Sequence, residues 1–245
     1  MTESDHAQPG VTVTRRKALK TTGWMMGALC FSAAGRGQDA VPKGAGFERF
    51  TQQWLELTGE LLEDGEPDED RYVYRLSALV AALGVDQLPP RTRTSFEKEG
   101  MQSGPAYGAG DRFIVEFELE PGAVIQAHNH VGFDFLSVGA EGACHFRHFE
   151  PLEDPPPIRG GLREPFPLQQ TRRGILTPGR MTTLTRTRDT IHWFQAGEDG
   201  AKFFDFGINF KDPGAGYKEF SMLEFDPEPL DAEQAIYEGQ WVGRR

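Results

Sequence analysis

The chain has 245 residues and a formal net charge of −11 at pH 7, from 26 basic and 37 acidic side chains. A chain this acidic is repelled by nucleic acid and by anionic membrane surfaces, so we expect neither as a partner. Acidity of this kind otherwise indicates a well-solvated surface.

The first 34 residues have the parts of a twin-arginine export signal. Arg15 and Arg16 precede a short apolar run at 23–31, and small residues follow at 32–34. The apolar run is too short to cross a bilayer, which takes ~20 residues, so we expect no stable membrane insertion. We therefore predict a signal over 1–34 and a periplasmic or cell-envelope location. An amphipathic helix or a membrane anchor is the alternative.

Removal of residues 1–34 would change the composition of the chain. It would take away four basic and two acidic residues, so the net charge would move to about −13. Cys144 would be the cysteine that remains, and it could form no internal disulfide. This fits a protein that folds before export. About 210 residues would be left, enough for one sizeable core.

Residues 35–92 predict a linker and then a helical segment. The stretch 35–46 is polar and unpatterned, whereas apolar residues recur at helical spacing over 47–92. Gly65-Glu66-Pro67 ends the first helix, Asp68 is placed to cap the second, and Gly84 is placed to end it. We expect this pair to pack against a sheet and to hold no functional site.

Residues 93–245 predict a β domain with a C-terminal extension. From about residue 112 the apolar period becomes two, and turn signals at 139–142 and 197–200 separate short runs. The strand-like runs are 112–119, 123–130, 133–138, 142–149, 168–175, 181–187, 190–195 and 201–210. Short strands at regular spacing predict an all-β sandwich or barrel. A short helix near 232–237 is also predicted.

The histidines point to a metal site. His128 and His130 are one residue apart on a predicted strand, so their side chains share a face, and His192 lies in another strand-like run. Three neutral imidazoles suit Fe, Ni, Cu or Zn and leave positions open for other ligands. His145 and His148 are three apart, so they point to opposite faces, and surface or edge positions are expected.

The residues around the first two histidines resemble the first cupin motif. The match is Gly122-x5-His128-x-His130-x3-Asp134-x4-Gly139. The resemblance implies an all-β fold with a cupin-type double-stranded β-helix, or jelly-roll barrel, in which a second motif strand brings the last histidine beside the first two. That motif often has glutamate where this chain has Asp134. Asp134 is therefore either a fourth metal ligand or a hydrogen-bond partner of a histidine.

A second resemblance is more specific. An H-x-H-x-G pattern at 128–132, an I-H-x-F pattern at 191–194 and a G-A-x-F-x-D pattern at 200–205 resemble the thiol dioxygenases of the plant cysteine oxidase and cysteamine dioxygenase family. The similarity covers about 107–210. It implies one mononuclear Fe(II) held by His128, His130 and His192, with O2 as co-substrate.

The same resemblance implies the substrate and one further site residue. The substrate would be a small aminothiol or a Cys-initiated peptide, oxidised to a sulfinic acid. Asp205 matches an active-site aspartate that would orient the substrate's amine. The family often has Pro-Pro-Tyr after that aspartate, where this chain has Asn209-Phe210, and Tyr217 lies further on.

Two alternatives remain open at the level of the sequence. One is another metal-dependent cupin enzyme, a dioxygenase or an isomerase, that uses the three histidines plus Asp134. The other is a non-catalytic exported cupin that binds a metal or a small molecule. The sequence carries no signal of oligomeric state.

Overall fold

The computed structural model describes residues 45–63, 67–130, 132–155, 164–210 and 221–244. The predicted signal 1–34, most of the linker 35–46, and Tyr217 therefore lie outside the described residues. The last two residues of the predicted linker, Ala45 and Gly46, form the start of the first helix. Within the described ranges, no helix has the length and apolar character needed to span a membrane.

The helical pair forms as predicted. Helix α1 spans Ala45–Glu63 and helix α2 spans Glu69–Leu83. The side chain of Asp68 accepts a hydrogen bond from the Arg71 N–H at 3.0 Å, which caps the otherwise unpaired start of α2. Gly84 ends α2 with a φ of 83°, a conformation that glycine adopts without strain, and a short 3₁₀ turn follows at Val85–Gln87.

Among the residues that the structure describes, ten strands form the rest of the fold. They are β1 Phe96–Lys98, β2 Met101–Ala109, β3 Arg112–Leu119, β4 Val124–Asn129, β5 Phe133–Pro151, β6 Phe166–Leu176, β7 Met181–Leu184, β8 Ile191–Asn209, β9 Ser221–Phe225 and β10 Ile236–Arg244. They pair in the order β1-β2-β3-β8-β4-β9-β10-β6-β5-β7, and a further antiparallel pairing of β5 with β8 closes the barrel. This is the predicted jelly-roll barrel with an N-terminal helical segment.

Strands β5 and β8 are longer than predicted. The glycine-rich segments 139–142 and 197–200 were expected to be turns, but each lies within one continuous 19-residue strand. The β5–β8 register shifts near Gly139 and again near Gly142, which bends the strand from one sheet to the other without reversing it. A Cβ on Gly142 would lie 2.2 Å from the Gly200 carbonyl oxygen, so the two bends touch through bare backbone.

The C-terminal segment differs from the prediction. The helix predicted near 232–237 is wrong: 232–235 form a turn, and β10 begins at Ile236. The Asp231 carboxylate accepts the N–H groups of Glu233 and Gln234 at 2.9 and 3.0 Å, which favours a turn over a helix. Trp241 of β10 pairs with Leu223 of β9, and both side chains are buried.

The core has separate parts on the two sides of the barrel wall. The helices cover the outer face of one part of the sheet through Phe50, Trp54 and neighbours, which pack on Phe206. Strands β6, β9 and β10 cover the outer face of another part, where Ala127 and Ile191 are buried. Because side chains alternate along a strand, the neighbours of these residues must point into the barrel. The neighbours of Ala127 and Ile191 are His128 and His192.

Candidate metal centre

Two adjacent strands and a short extension place the three predicted ligands. His128 on β4 lies directly opposite His192 on β8 in the antiparallel register. His130 follows the end of β4, and its backbone N–H donates to the Thr190 carbonyl at 3.1 Å. All three side chains are buried. The structure therefore brings together the residues that the sequence predicted, and their role as ligands stays a prediction.

The three imidazoles meet through their Nε2 atoms. The Nε2 atom of His192 lies 2.7 Å from that of His130 and 3.1 Å from that of His128. Three ring nitrogens bonded to one ion at ~2.0–2.1 Å lie at comparable separations from one another. His128 Nδ1 donates to the Gln126 carbonyl at 2.8 Å, which leaves its Nε2 unprotonated in the neutral ring and available to an ion.

Burial keeps this cluster neutral. It lowers the pKa of His128 to about 4, with the Gln126 carbonyl opposing the shift. The pKa values of His130 and His192 fall well below the usual value, first because of burial and then because the neighbouring imidazoles repel added charge. Neutral imidazoles are the form that binds a metal, so the site needs no deprotonation near pH 7.

Asp134 does not join the three histidines. The group of potential ligand atoms that lie within 4.8 Å of one another contains His128, His130 and His192 and leaves Asp134 out. The ring of Phe135, the next residue, lies 4.2 Å from the His130 ring, so Asp134 faces the other side of the strand. The four-ligand interpretation is therefore wrong for this structure.

Asp134 instead belongs to a contact between the barrel and α2. Its Oδ1 accepts a hydrogen bond from the backbone N–H of Arg186 at 3.0 Å. The alternative expectation, that Asp134 bonds one of the histidines, is therefore also wrong. Burial raises the pKa of Asp134 to about 8, and the nearby carboxylate of Glu69 adds to the shift. Asp134 is thus a buried acid that holds its proton near neutral pH.

Asp205 lies inside the barrel. Its neighbours Phe204 and Phe206 pack toward the helices, so Asp205 and Phe203 face inward. Burial raises the pKa of Asp205 to about 7, opposed by a hydrogen bond from the Ser137 hydroxyl. Within the described part of the chain, its Oδ1 has no hydrogen-bond partner. A buried carboxylate oxygen without a hydrogen-bond partner costs free energy unless a ligand or a water molecule bonds it. The predicted role of Asp205, to orient a substrate amine, would provide such a ligand.

His148 is the functional candidate that the sequence interpretation missed. It was expected at the surface or an edge, but it is fully buried and lies opposite His192 in the β5–β8 register. The rings of His148 and His192 have centroids 6.2 Å apart. Its Nδ1 lies 3.7 Å from Asp189 Oδ2, and its Nε2 lies 3.4 Å from the Thr182 hydroxyl. His145 is exposed, as predicted.

A signal for His148 was present in the sequence. Cys144, Phe146 and His148 alternate along one strand, so His148 shares the face of two apolar residues. No comparable signal marked Asp189, which comes from the loop before β8 and has a left-handed φ of 58°. The pKa of the Asp189 carboxyl lies below its usual range: burial opposes this shift, and the nearby His148 ring together with the hydrogen bond from the Thr171 hydroxyl outweighs it.

An aromatic layer closes the barrel on one side of the histidines. The Phe194 ring lies 4.6 Å from His192 and 5.0 Å from Phe203, and Phe146 lies 5.2 Å from His148. Burial, and secondly the charge of Asp205, raise the pKa of Cys144 in this layer to about 12, so it stays a neutral thiol. Apolar surroundings of this kind have a low effective dielectric constant, which strengthens polar contacts at the centre.

Comparisons with known proteins give only weak likenesses. No protein-family model matches the chain, and no curated protein gives a significant sequence match. KdgF from Halomonas sp. is 19% identical over 49% of this chain and 91% of that chain, with a TM-score of 0.35. An oxalate decarboxylase variant from Bacillus subtilis is 16% identical over 48% of this chain and 27% of that chain, with a TM-score of 0.36.

A third solved structure is a Cupin_2 domain of an XRE family transcriptional regulator from Enterobacter cloacae. It is 14% identical over 46% of this chain and 100% of that domain, with a TM-score of 0.33. Likenesses this weak carry no argument about substrate or activity. What the molecule itself has is an antiparallel jelly-roll barrel with a three-histidine group that could hold a metal ion.

Proposed function

We propose that this protein is an iron-dependent thiol dioxygenase that oxidises a small aminothiol or an N-terminal cysteine to a sulfinic acid. The observation that carries the proposal is the convergence of three neutral imidazoles, which no carboxylate of the described residues joins. A ferrous ion on three neutral ligands keeps its full charge, which favours an anionic thiolate as a further ligand.

The reaction is balanced without a further reductant. One thiol and one O2 give one sulfinic acid, so both oxygen atoms enter the product and sulfur supplies the electrons. An iron held by His128, His130 and His192 would supply binding of the thiolate and O2 and the redox chemistry between them. The chain's own contribution is to fix the three nitrogens, keep them unprotonated and exclude water through Phe194 and Phe146.

Asp205 supports an amine-bearing substrate. It is buried inside the barrel with one carboxylate oxygen that lacks a partner in the described residues. A substrate ammonium would satisfy that oxygen and favour the ionised carboxylate, since a nearby cation lowers the pKa of an acid. In this proposal Asp205 binds the amine while the histidine-bound iron binds the sulfur.

The test is a thiol panel with the iron-loaded protein. Cysteine, cysteamine and Cys-initiated peptides should cause O2 uptake, and mass spectrometry should show a product that has gained two oxygen atoms. His192→Ala is the control, since it removes one of three ligands. Absence of turnover with every thiol at full iron occupancy would overturn the proposal. Tight zinc retention with no dependence on O2 would point instead to a binding protein.

We also propose that the protein is exported in the folded state. Copper and zinc bind a three-imidazole site more tightly than ferrous iron does, so folding around iron before export would avoid that competition. Replacement of Arg15 and Arg16 by lysine should keep the protein in the cytoplasm in cell fractionation. An unchanged periplasmic fraction would contradict this part of the proposal.

A further inference from the structure

We propose that the start of helix α2 positions the metal centre by holding the loop 185–190, here called the rim loop, against the barrel. Glu69 and Asp70 on α2, with Arg186 and Arg188 on the rim loop, are the positioning residues. The inference rests on the three-histidine group as a metal site and does not depend on which substrate is oxidised.

The first contact is a buried ion pair. Glu69 is 7% exposed, and it accepts from Arg186 Nε at 2.7 Å, from Arg186 Nη2, and from the Arg186 backbone N–H at 3.1 Å. The Arg186 guanidinium also lies 3.6 Å above the ring centroid of Phe210. Two guanidinium donors converge on one oxygen of the buried Glu69 carboxylate while the backbone N–H bonds the other, so the pair fixes position as well as charge.

The second contact fixes the other end of the rim loop. Arg188 Nη2 lies 2.7 Å from the Asp70 carboxylate, and Arg188 Nη1 bonds Asp189 at 2.6 Å. The Asp189 N–H donates to Glu150 at 2.6 Å, and its carboxylate accepts from the Thr171 hydroxyl. These bonds hold Asp189 at a φ of 58°, a conformation that a non-glycine residue keeps only when its surroundings enforce it.

Both ends of the rim loop are hydrogen-bonded to segments of the chain that carry predicted metal ligands. Thr190 accepts the backbone N–H of His130 at 3.1 Å, and His192 follows two residues later. The Arg186 N–H also donates to Asp134, at the start of the strand that follows His130. A shift of the first turn of α2 would therefore displace two of the three imidazoles. Metal sites require ligand positions within ~0.5 Å, so small shifts matter.

The experiment compares two variants of the rim-loop contact with a matched control. Glu69→Gln and Asp70→Asn each remove one ion pair to the rim loop. Glu60→Gln removes the Glu60–Arg75 pair, which links α1 to α2 and has no contact with the rim loop. The full chain is loaded with Co(II) as the probe, its affinity is measured by chelator competition, and its visible spectrum reports ligand geometry. Circular dichroism and thermal melting report the fold.

We expect Glu69→Gln to weaken Co(II) binding by ~10-fold and to alter the visible spectrum, since loss of a group that orients metal ligands costs ~10–100-fold in affinity. Asp70→Asn should show a smaller change in the same direction, and Glu60→Gln should match the native protein. Native affinity and spectrum in both rim-loop variants, or an equal loss in Glu60→Gln, would overturn the inference. If Glu69→Gln does not fold, Asp70→Asn decides by the same criteria.

Discussion

The substitution Asp134→Asn tests the electrostatics of the buried acid that faces α2. Asp134 is 1% exposed, and burial together with the Glu69 carboxylate raises its pKa from 3.8 to about 8. Asparagine keeps the shape of the side chain and stays neutral at every pH. The variant should therefore keep the Arg186 N–H contact and lose only the titration.

The magnitude follows from the two pKa values. Between about pH 4 and pH 8 the folded protein holds a proton at Asp134 that the unfolded chain has released, so the free energy of unfolding falls as pH rises. Within this window, each unit of pH lowers the free energy of unfolding by ~1.4 kcal/mol for one group that is protonated in the folded protein and ionised in the unfolded chain. From pH 5 to pH 7 the native protein should lose about 2–3 kcal/mol more than the variant.

Urea unfolding of both metal-free proteins at pH 5, 6, 7 and 8 measures this difference. Titrating groups other than Asp134 and its coupled neighbour Glu69 are common to both proteins and cancel in the comparison, so the difference reports the Asp134–Glu69 pair. The m-value should be the same for both, which shows that the same surface is exposed on unfolding. A difference in unfolding free energy that stays constant from pH 5 to pH 8 would refute the reasoning and mean that Asp134 is ionised in the folded protein.

Three further substitutions test other parts of the site. Asp205→Asn should raise KM for cysteamine by ~10-fold or more while leaving 3-mercaptopropionate, which lacks the amine, little changed in steady-state assays; equal effects on both would exclude amine binding. His148→Ala should destabilise the fold by ~1–3 kcal/mol in urea unfolding, because the buried Asp189 carboxylate loses a partner, and unchanged stability would contradict that pairing. Gly142→Ala should lower stability by ~2–4 kcal/mol, because its Cβ would meet Gly200 at 2.2 Å; native-like stability would show that the bend adapts.

The sequence pattern was enough to predict those features of the fold that depend on residues close together in the chain. Asp68 and Gly84 mark the ends of α2 because capping depends on the few residues around a helix terminus. The alternation along β4 and β8 predicted the shared face of the three histidines for the same reason. The glycine-rich segments of β5 and β8 looked like turns because glycine is compatible with a turn and with a bend within a strand. Pairing with the partner strand determines which of the two forms.

The remaining features depend on contacts between distant parts of the chain. Glu69 and Arg186 are 117 residues apart, so no local pattern could pair them. The same contact explains why motif spacing misplaced Asp134. Spacing after His130 made it look like a fourth ligand, but the strand begins at Phe133, with Phe135 turned toward His130 and Asp134 toward Arg186. The residue that departs from the cupin motif thus connects the barrel to its helices, and among the described residues the histidines form a group without a carboxylate.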